Sequence, residues 1–409
     1  MSRLSLAILA ALVTGLAVGT LLSGSSSGPA IAAVAAPLGK FWLDALTMTV
    51  VPLVFSLLVT GIMAAAAQAS SGRVATRALV WFALLLVAVS LIGGIVASLA
   101  LHLMPVPDAA TALRPTGPAP SLPGTGSWLD SIAPINPVRA AADSAMIPLV
   151  GFALLFGLAA SRIEDALRGS LTRVFEALAQ TMLRIVQWVL LVAPIGVFAL
   201  ALGVGLRMGA GVAGVLAHYV LIVAATLLAI TALAYVAVVA FGRIGIGRFA
   251  RGALPAQVIA ISTQSSLASL PAMIDAAPAL GVTRGDAGVV LPLAVSLFRA
   301  ASAGANVAVV LYLAQVHGVP VGVASLAIGA LVAAAVSVAA VGLPAQVSFF
   351  AIIAPVCVAM GVPVVLLPLL LAIETIPDLF RTLGNVTWDL AVMRITGRGG
   401  EPAPVLPDA

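Results

Sequence analysis

LAIETIPDLFRTLGNVTWDLAV, residues 371–392, sets three carboxylates and a guanidinium inside an otherwise apolar stretch. Glu374, Asp378, Arg381, Asn385 and Asp389 fall 4, 3, 4 and 4 residues apart. That spacing keeps them on one face of a helix with slow drift. The preceding PVVLLPLLLAI, residues 363–373, makes the row continuous with a membrane helix, with Pro377 near a bend. A charged side chain at the bilayer centre costs about 3 kcal/mol on insertion scales and more in simulations. Such a row cannot face lipid; it lines a protein interior or a water-filled path. The competing arrangement is an amphipathic helix beyond the last span, with Ile376, Leu379, Phe380, Leu383 and Val386 on its apolar face.

The rest of the chain is built for the same solvent. Of 409 residues, 8% are Asp, Glu, Lys or Arg and 62% are hydrophobic, against the roughly 25% charged of a soluble domain. Disorder needs polarity this chain lacks, and a soluble fold would expose more apolar surface than water tolerates. The sequence is therefore read as an all-α polytopic membrane protein. Its net charge of +5 comes from Lys40 and scattered arginines rather than a basic patch, which argues against nucleic acid as a partner. Cys357 is the one cysteine. It excludes an intramolecular disulfide and a cysteine-cluster metal site, and reads as a buried small hydrophobe. His102, His218 and His317 lack ligand spacing and sit near span ends or loops, so nothing here assembles a metal centre or a nucleophile–base pair and the chain is not read as an enzyme.

Apolar runs place spans near 4–24, 43–66, 79–103, 143–160, 183–206 and 215–240. The first is read as a spanning helix in preference to a cleaved signal. Residues 105–140, rich in proline, glycine and serine, are read as a linker without regular elements. Arg3, Arg73, Arg77, Arg162, Arg168, Arg173, Arg243, Arg248 and Arg251 fall at the N-terminus and in alternate loops. The bias puts the N-terminus in the cytoplasm, with Arg394 and Arg398 marking a cytoplasmic tail. Asp44 is read as a cap at the start of the second span.

Past residue 250 the simple pattern fails. ALPAQVIAISTQSSLASLPAMI (253–274) is apolar at both ends and serine-rich in its middle; SLFRAASAGAN (296–306) interrupts the run 288–315; GLPAQVS (342–348) divides 321–362. Broken backbone at membrane depth is tolerated where it lines an enclosed cavity, and secondary transporters put solute sites at such breaks. The first and third of these therefore read as paired re-entrant hairpins, with kinked spanning helices as the alternative. In the charged row, Arg381 suits a fork contact with a carboxylate, Asp378 an amine, Asn385 a second carboxylate, and Asp389 a hard monovalent cation. An internal Asp378–Arg381 salt bridge competes with that assignment.

With these pieces in order, the chain resembles the dicarboxylate/amino acid:cation symporter family, which includes the glutamate and aspartate transporters. TVVPLVFSLLVTGI (49–62) is similar to the family's second helix, IPLVGFALLFGLAASR (147–162) to its fourth, APIGVFAL (193–200) to its fifth, STQSSLASLP (262–271) to the tip of its first hairpin, and DLFRTLGNVTWD (378–389) to its last helix. The resemblance implies a glutamate-transporter-like fold of eight transmembrane helices plus two re-entrant helical hairpins, a homotrimer in a bacterial-type cytoplasmic (inner) membrane, and an elevator-like step. It implies scaffold helices 1–2 in residues 1–70, helix 3 of the transport domain in 71–104, an extracytoplasmic linker at 105–140, and scaffold helices 4–5 in 141–210. The transport domain would resume over 211–393, with helix 6, hairpin 1, helix 7, hairpin 2 and helix 8, and a cytoplasmic tail would occupy 394–409.

Carried over by position, Arg381 matches the arginine that holds an acidic substrate's side-chain carboxylate, and Asp378 the aspartate that receives its ammonium. Asn385 matches the asparagine near its main-chain carboxylate, Thr382 a further polar site residue, and Asp389 a sodium ligand. Ser265 and Ser266 match the hairpin's serine run, in which Leu267 replaces a serine. The family's asparagine-methionine-aspartate-glycine-threonine motif falls on Phe298, Arg299, Ala300, Ala301 and Ser302. Ser302 keeps a hydroxyl for substrate, while the cation-ligating asparagine and aspartate are gone. The matching hydroxyl pair of helix 3 falls on Leu86 and Val87. In the second hairpin Gly342 and Pro344 persist, and Gln346 and Val347 replace small residues. One sodium site is therefore expected to be altered or missing, with Arg299 a candidate tethered cation; a position of Arg299 at the cavity mouth, without effect on ions, is the alternative. Glu374 is a candidate proton carrier. Uptake of aspartate or glutamate, coupled to sodium, protons or both without an organic cofactor, is the expectation. C4-dicarboxylates, neutral amino acids and a channel are the alternatives.

Overall fold

A computed structural model describes residues 3–69, 72–113, 134–339 and 345–397. Among these residues the backbone is helical apart from links and turns, and no strand occurs. The first half comprises α1 (Arg3–Leu21), α2 (Gly28–Thr47), α3 (Val50–Ala69), α4 (Arg73–Leu103), α5 (Pro137–Ala142), α6 (Met146–Ala160), α7 (Asp165–Leu191) and α8 (Ala193–Met208). The second comprises α9 (Gly211–Ala237), α10 (Ile246–Thr263), α11 (Ser266–Ala276), α12 (Arg284–Leu297), α13 (Ala300–His317), α14 (Val323–Ala339), α15 (Ala345–Ala359), α16 (Leu367–Ile373) and α17 (Thr375–Thr396). Five of the described stretches, Gly28–Ala69, Arg73–Leu103, Asp165–Leu191, Gly211–Gly242 and Arg284–His317, are long and apolar enough to cross a membrane. Shorter apolar helices accompany them, and the chain is an all-helical polytopic membrane protein.

Several element boundaries differ from the sequence reading. The second span begins at Gly28, not residue 43, and its two helices break at Met48–Thr49. The alanines of GPAIAAVAAPLGK give a weaker apolar signal than larger side chains yet are the best helix formers. Asp44 consequently lies inside α2, where it pairs with Lys40 one turn away instead of capping. Residues 165–182, read as loop, belong to α7, an amphipathic helix that carries Arg168, Arg173 and Arg184. It stops at Leu191 because Pro194 sits in the first turn of α8 and cannot continue a helical ladder. The linker also contains regular elements: a 3-10 turn at Asp108–Leu113, and α5, whose N-cap Asn136 accepts from the Val138 and Arg139 amides. Its central part, the hairpin-2 positions Gly342 and Pro344, the side chains of Gln346 and Val347, and the tail from residue 398 lie outside the described residues.

The breaks at residues 264–265 and 298–299 are where the polarity placed them, and the one at 340–344 lies outside the described residues. Helix α10 ends on Gln264 in the left-handed region (φ 53°). Ser265 follows as N-cap of α11, its Oγ accepting from the Ala268 amide, so the chain turns within two residues and α11 packs back along α10. Helices α14 and α15 also pack on each other. Helices α12 and α13 are separated by Phe298 and Arg299 alone, and α16 and α17 meet at Glu374.

Packing falls into two groups. Helix α8 lies against α1 and α2, and α3 against α6 and α7; α13 packs on α4, α9, α14 and α17, and α17 also on α9, α10 and α12. Every residue of α13 except Gln315 is buried, the behaviour of a helix apolar on all sides and surrounded by protein. Helices α4 and α13 touch backbone to backbone: a methyl on Gly93 would lie 2.7 Å from the Gly304 Cα. This contact, two residues before Asn306, helps fix the height of the α12–α13 break relative to α4.

Candidate substrate site

The face of α17 turns inward. Exposure is 5% at Glu374, 8% at Asp378, 6% at Arg381, 4% at Asn385 and 1% at Asp389, so the row is enclosed by protein, whereas Ile376 on the other side is 51% exposed. Trp388 holds this orientation, donating from Nε1 to the Ile230 carbonyl of α9 at 3.0 Å while its ring is buried. A narrow cleft opens beside the row, lined on its polar side by Arg299, Ser302, Asn306, Glu374, Asp378 and Arg381. Phe349, Ile352 and Ile353 of α15 form its apolar wall. An apolar wall facing a few convergent polar groups is the usual form of a small-molecule site.

Arg381 is the hub. Its Nη2 donates to Glu374 Oε1 at 2.6 Å and its Nη1 to Asn306 Oδ1 at 3.0 Å, with the Ser302 carbonyl at 3.4 Å from the same nitrogen. Asp378 stands further off, 4.0 Å from Nε. The strong partner of the guanidinium is thus Glu374, two turns back, and Asp378 is the secondary one. Tyr219 of α9 donates its hydroxyl to the other Glu374 oxygen at 3.0 Å. A buried pair stripped of water is sustained only when such additional bonds satisfy its remaining atoms.

Asn385 is bound at both ends of its amide to one residue. Oδ1 accepts from the Ser302 backbone N–H at 3.1 Å and Nδ2 donates to Ser302 Oγ at 2.9 Å. It therefore satisfies an amide left without a helical partner in the first turn of α13. Arg299, the N-cap residue of α13, lines the cleft. Its charge acts favourably on Asp378 and Asp389 and is opposed by Arg381. Both Asp389 oxygens are buried without a hydrogen-bond partner, and the charge that reaches them is that of Arg299. Phe298 fills the break as an apolar plug, stacked on Phe82 of α4 at 4.8 Å and set edge-on to Trp388 at 6.5 Å; Leu86 is buried in the same core.

The structure brings together Ser302, Asp378, Arg381, Glu374 and Arg299 around the cleft, with Asn385 behind Ser302 and Asp389 one turn beyond. Thr382 is buried beside Arg381 but does not line the cleft. Ser265 and Ser266 are half-buried at the hairpin tip, outside the lining, with Ser265 Oγ engaged as a cap. Sequence reasoning missed Tyr219 and Asn306. Asn306 carried a signal, a lone amide in an apolar run; Tyr219, in a different helix, carried none.

A buried arginine held by carboxylates beside broken membrane helices fits the class of secondary transporters. The chain belongs to the sodium:dicarboxylate symporter family, whose model matches residues 4–398. It is 26% identical over 400 residues, 95% of this chain and 91% of the relative, to a proton/glutamate-aspartate symporter of Escherichia coli. It is also 26% identical over 392 residues, 94% of this chain and 87% of the relative, to C4-dicarboxylate transport protein 1 of Pseudomonas paraeruginosa. A proton/sodium-glutamate symport protein of Bacillus caldotenax is 26% identical over 394 residues, 92% of this chain and 89% of that one. The family consists of symporters rather than enzymes.

Proposed function

We propose that this protein imports an acidic amino acid, aspartate or glutamate, coupled to a cation gradient, by an elevator movement of its broken-helix half against the rest. The observation that carries this reading is the buried Arg381 guanidinium, held by Glu374 beside a narrow cleft with an apolar wall. A solute carboxylate replaces Glu374 at Arg381, charge for charge, and Asp378 receives the solute's ammonium. Released from the arginine, Glu374 needs a proton to remain buried, and that proton travels with the solute. The eight-span, two-hairpin topology, with transport helices α4 and α9 to α17 on scaffold helices α1 to α3 and α6 to α8, is supported by how these helices group, and a homotrimer is assigned by family resemblance.

Arg299 supplies permanently the charge that a bound sodium supplies elsewhere, so one sodium site is missing. The aromatic plug of Phe82, Phe298 and Trp388 supports this, because it sets ring carbons where the family motif has oxygen ligands. Asp389, Asn385 and Glu374 are the remaining candidates for ion coupling.

A second reading, uptake of a C4-dicarboxylate, is favoured by Arg299 itself. Its charge already acts on Asp378, so a solute without an amine does not strand that carboxylate. Uptake into proteoliposomes, measured for aspartate, glutamate, succinate and alanine under separate sodium and proton gradients, decides between them. Saturable aspartate or glutamate uptake driven by a proton gradient and lost in Arg381→Ala is expected. Succinate uptake without aspartate uptake would replace the first reading by the second, and single-channel currents without exchange would refute both.

A further inference from the structure

Asn306 is a polar side chain with no structural reason to be a full amide. It sits two turns into α13 among Ala305, Val307 and Ala308, at 2% exposure. Buried amides in such surroundings are paired at both ends. Here Oδ1 accepts from Arg381 Nη1 at 3.0 Å, while Nδ2 is buried with no hydrogen-bond partner. The orientation of this amide is fixed by chemistry: a guanidinium only donates, so the oxygen must face Arg381 and the NH2 group is the end left over. Asn306 lines the cleft together with Arg381, Glu374 and Ser302.

We infer that Asn306 is a specificity-determining residue: its Nδ2 donates to the carboxylate of the solute that Arg381 anchors. This rests on the reading of Arg381 as the anion anchor and extends it. When the solute carboxylate takes the place of Glu374 at Nη2, it meets a donor from Arg381 and a second donor from Asn306, locked to the same guanidinium. Two convergent donors are matched by a group with two acceptor oxygens. A primary amide at that position satisfies one donor and turns its own NH2 against the other, leaving buried donors unpaired. The pair therefore selects a carboxylate over the isosteric amide, whether the solute is an acidic amino acid or a dicarboxylate.

The test is a ratio. Binding of aspartate and asparagine, and of succinate and succinamate, is measured on the purified full-length protein by competition, for the wild type, Asn306→Ala and Asn306→Asp. The acid-to-amide affinity ratio is expected to fall at least about tenfold in Asn306→Ala, with affinity for the amide member unreduced. In Asn306→Asp, which keeps an acceptor for Arg381 but faces the solute with a second one, the preference is expected to reverse. If acid and amide weaken by the same factor in both variants, Asn306 merely positions Arg381 and the inference is overturned. Arg381→Ala separates the two levels of the argument. Loss of acid preference there with an unchanged ratio in both Asn306 variants sinks this inference alone, and an unchanged ratio in Arg381→Ala sinks the anchor and this inference with it.

Discussion

Replacing Glu374 by glutamine isolates the competition at Arg381. The side chain keeps its size and an acceptor oxygen for Arg381 Nη2, but the 2.6 Å bond changes from an ion pair to a neutral contact. Hydrogen bonds to charged groups net about 1.5–3 kcal/mol and neutral ones about 0.5–1.5. The variant therefore grips the guanidinium less tightly by about 1–1.5 kcal/mol. A solute that must displace this grip gains that amount, which at about 1.4 kcal/mol per decade is a five- to tenfold tighter dissociation constant.

Equilibrium titration of aspartate and succinate into detergent-purified protein reads this directly, and pH adds a second axis. In the wild type, lowering the pH protonates Glu374 once it leaves Arg381, so binding tightens while the solute's own carboxylates stay ionised. In Glu374→Gln there is nothing to protonate and the slope flattens. In proteoliposomes the variant loses uptake driven by a proton gradient but retains solute exchange. An affinity that is unchanged or weaker, together with a pH slope equal to that of the wild type, would show that Glu374 does not compete for Arg381.

Four further outcomes follow from contacts in the same region. Tyr219→Phe leaves Glu374 Oε2 without its 3.0 Å donor and should lower stability by about 1–3 kcal/mol, read as the midpoint of thermal unfolding in detergent. Gln257→Leu removes donors to Tyr235 and Thr387 at 2.9 and 2.8 Å; because these tie α10 to α9 and α17, hydrogen exchange along α10 should rise by about tenfold. Gly93→Ala puts a methyl 2.7 Å from the Gly304 Cα and should destabilise by about 1–3 kcal/mol, whereas Gly288→Ala, with open space around the added carbon, should be neutral or better. Arg299→Met removes the positive charge that acts on Asp389 and should lower the midpoint of thermal unfolding in detergent; Asp389→Asn in the same chain should recover most of that loss, and failure to recover it would show the two residues to be uncoupled.

Much of the site was legible because membrane solvent makes polarity expensive. The 4-3-4-4 row on α17 had to face inward on cost alone, and the serine-rich and arginine-bearing interruptions had to be breaks. Partner choice within the row was not legible. Asp378 and Glu374 both share a face with Arg381, three and seven residues away. Only the junction at Glu374 and the hydroxyl of Tyr219, from a helix far back in the chain, favour the longer reach. Helix starts were poorly legible where small residues dilute the apolar signal, as at Gly28, or where arginines on an exposed face imitate a loop, as in α7.

Charge balance connects these features to coupling. Around the cleft and the turn beyond it, two guanidinium groups, Arg299 and Arg381, oppose three carboxylates, Glu374, Asp378 and Asp389, a formal charge of −1 when all are ionised. Aspartate or glutamate, each carrying −1 near neutral pH, brings the loaded site to −2, and a fully ionised C4-dicarboxylate to −3. Carrying such a charge through a low-dielectric bilayer is costly, so positive charge must accompany the solute in proportion to its own. On the proposed mechanism Arg299 contributes one such charge on every trip; without it each total would be one unit more negative. On the same proposal a proton on Glu374 contributes the next, at the moment the solute displaces that side chain from Arg381. If so, Arg299 and the engagement of Arg381 by Glu374 act on one quantity, the number of mobile cations the solute must bring with it.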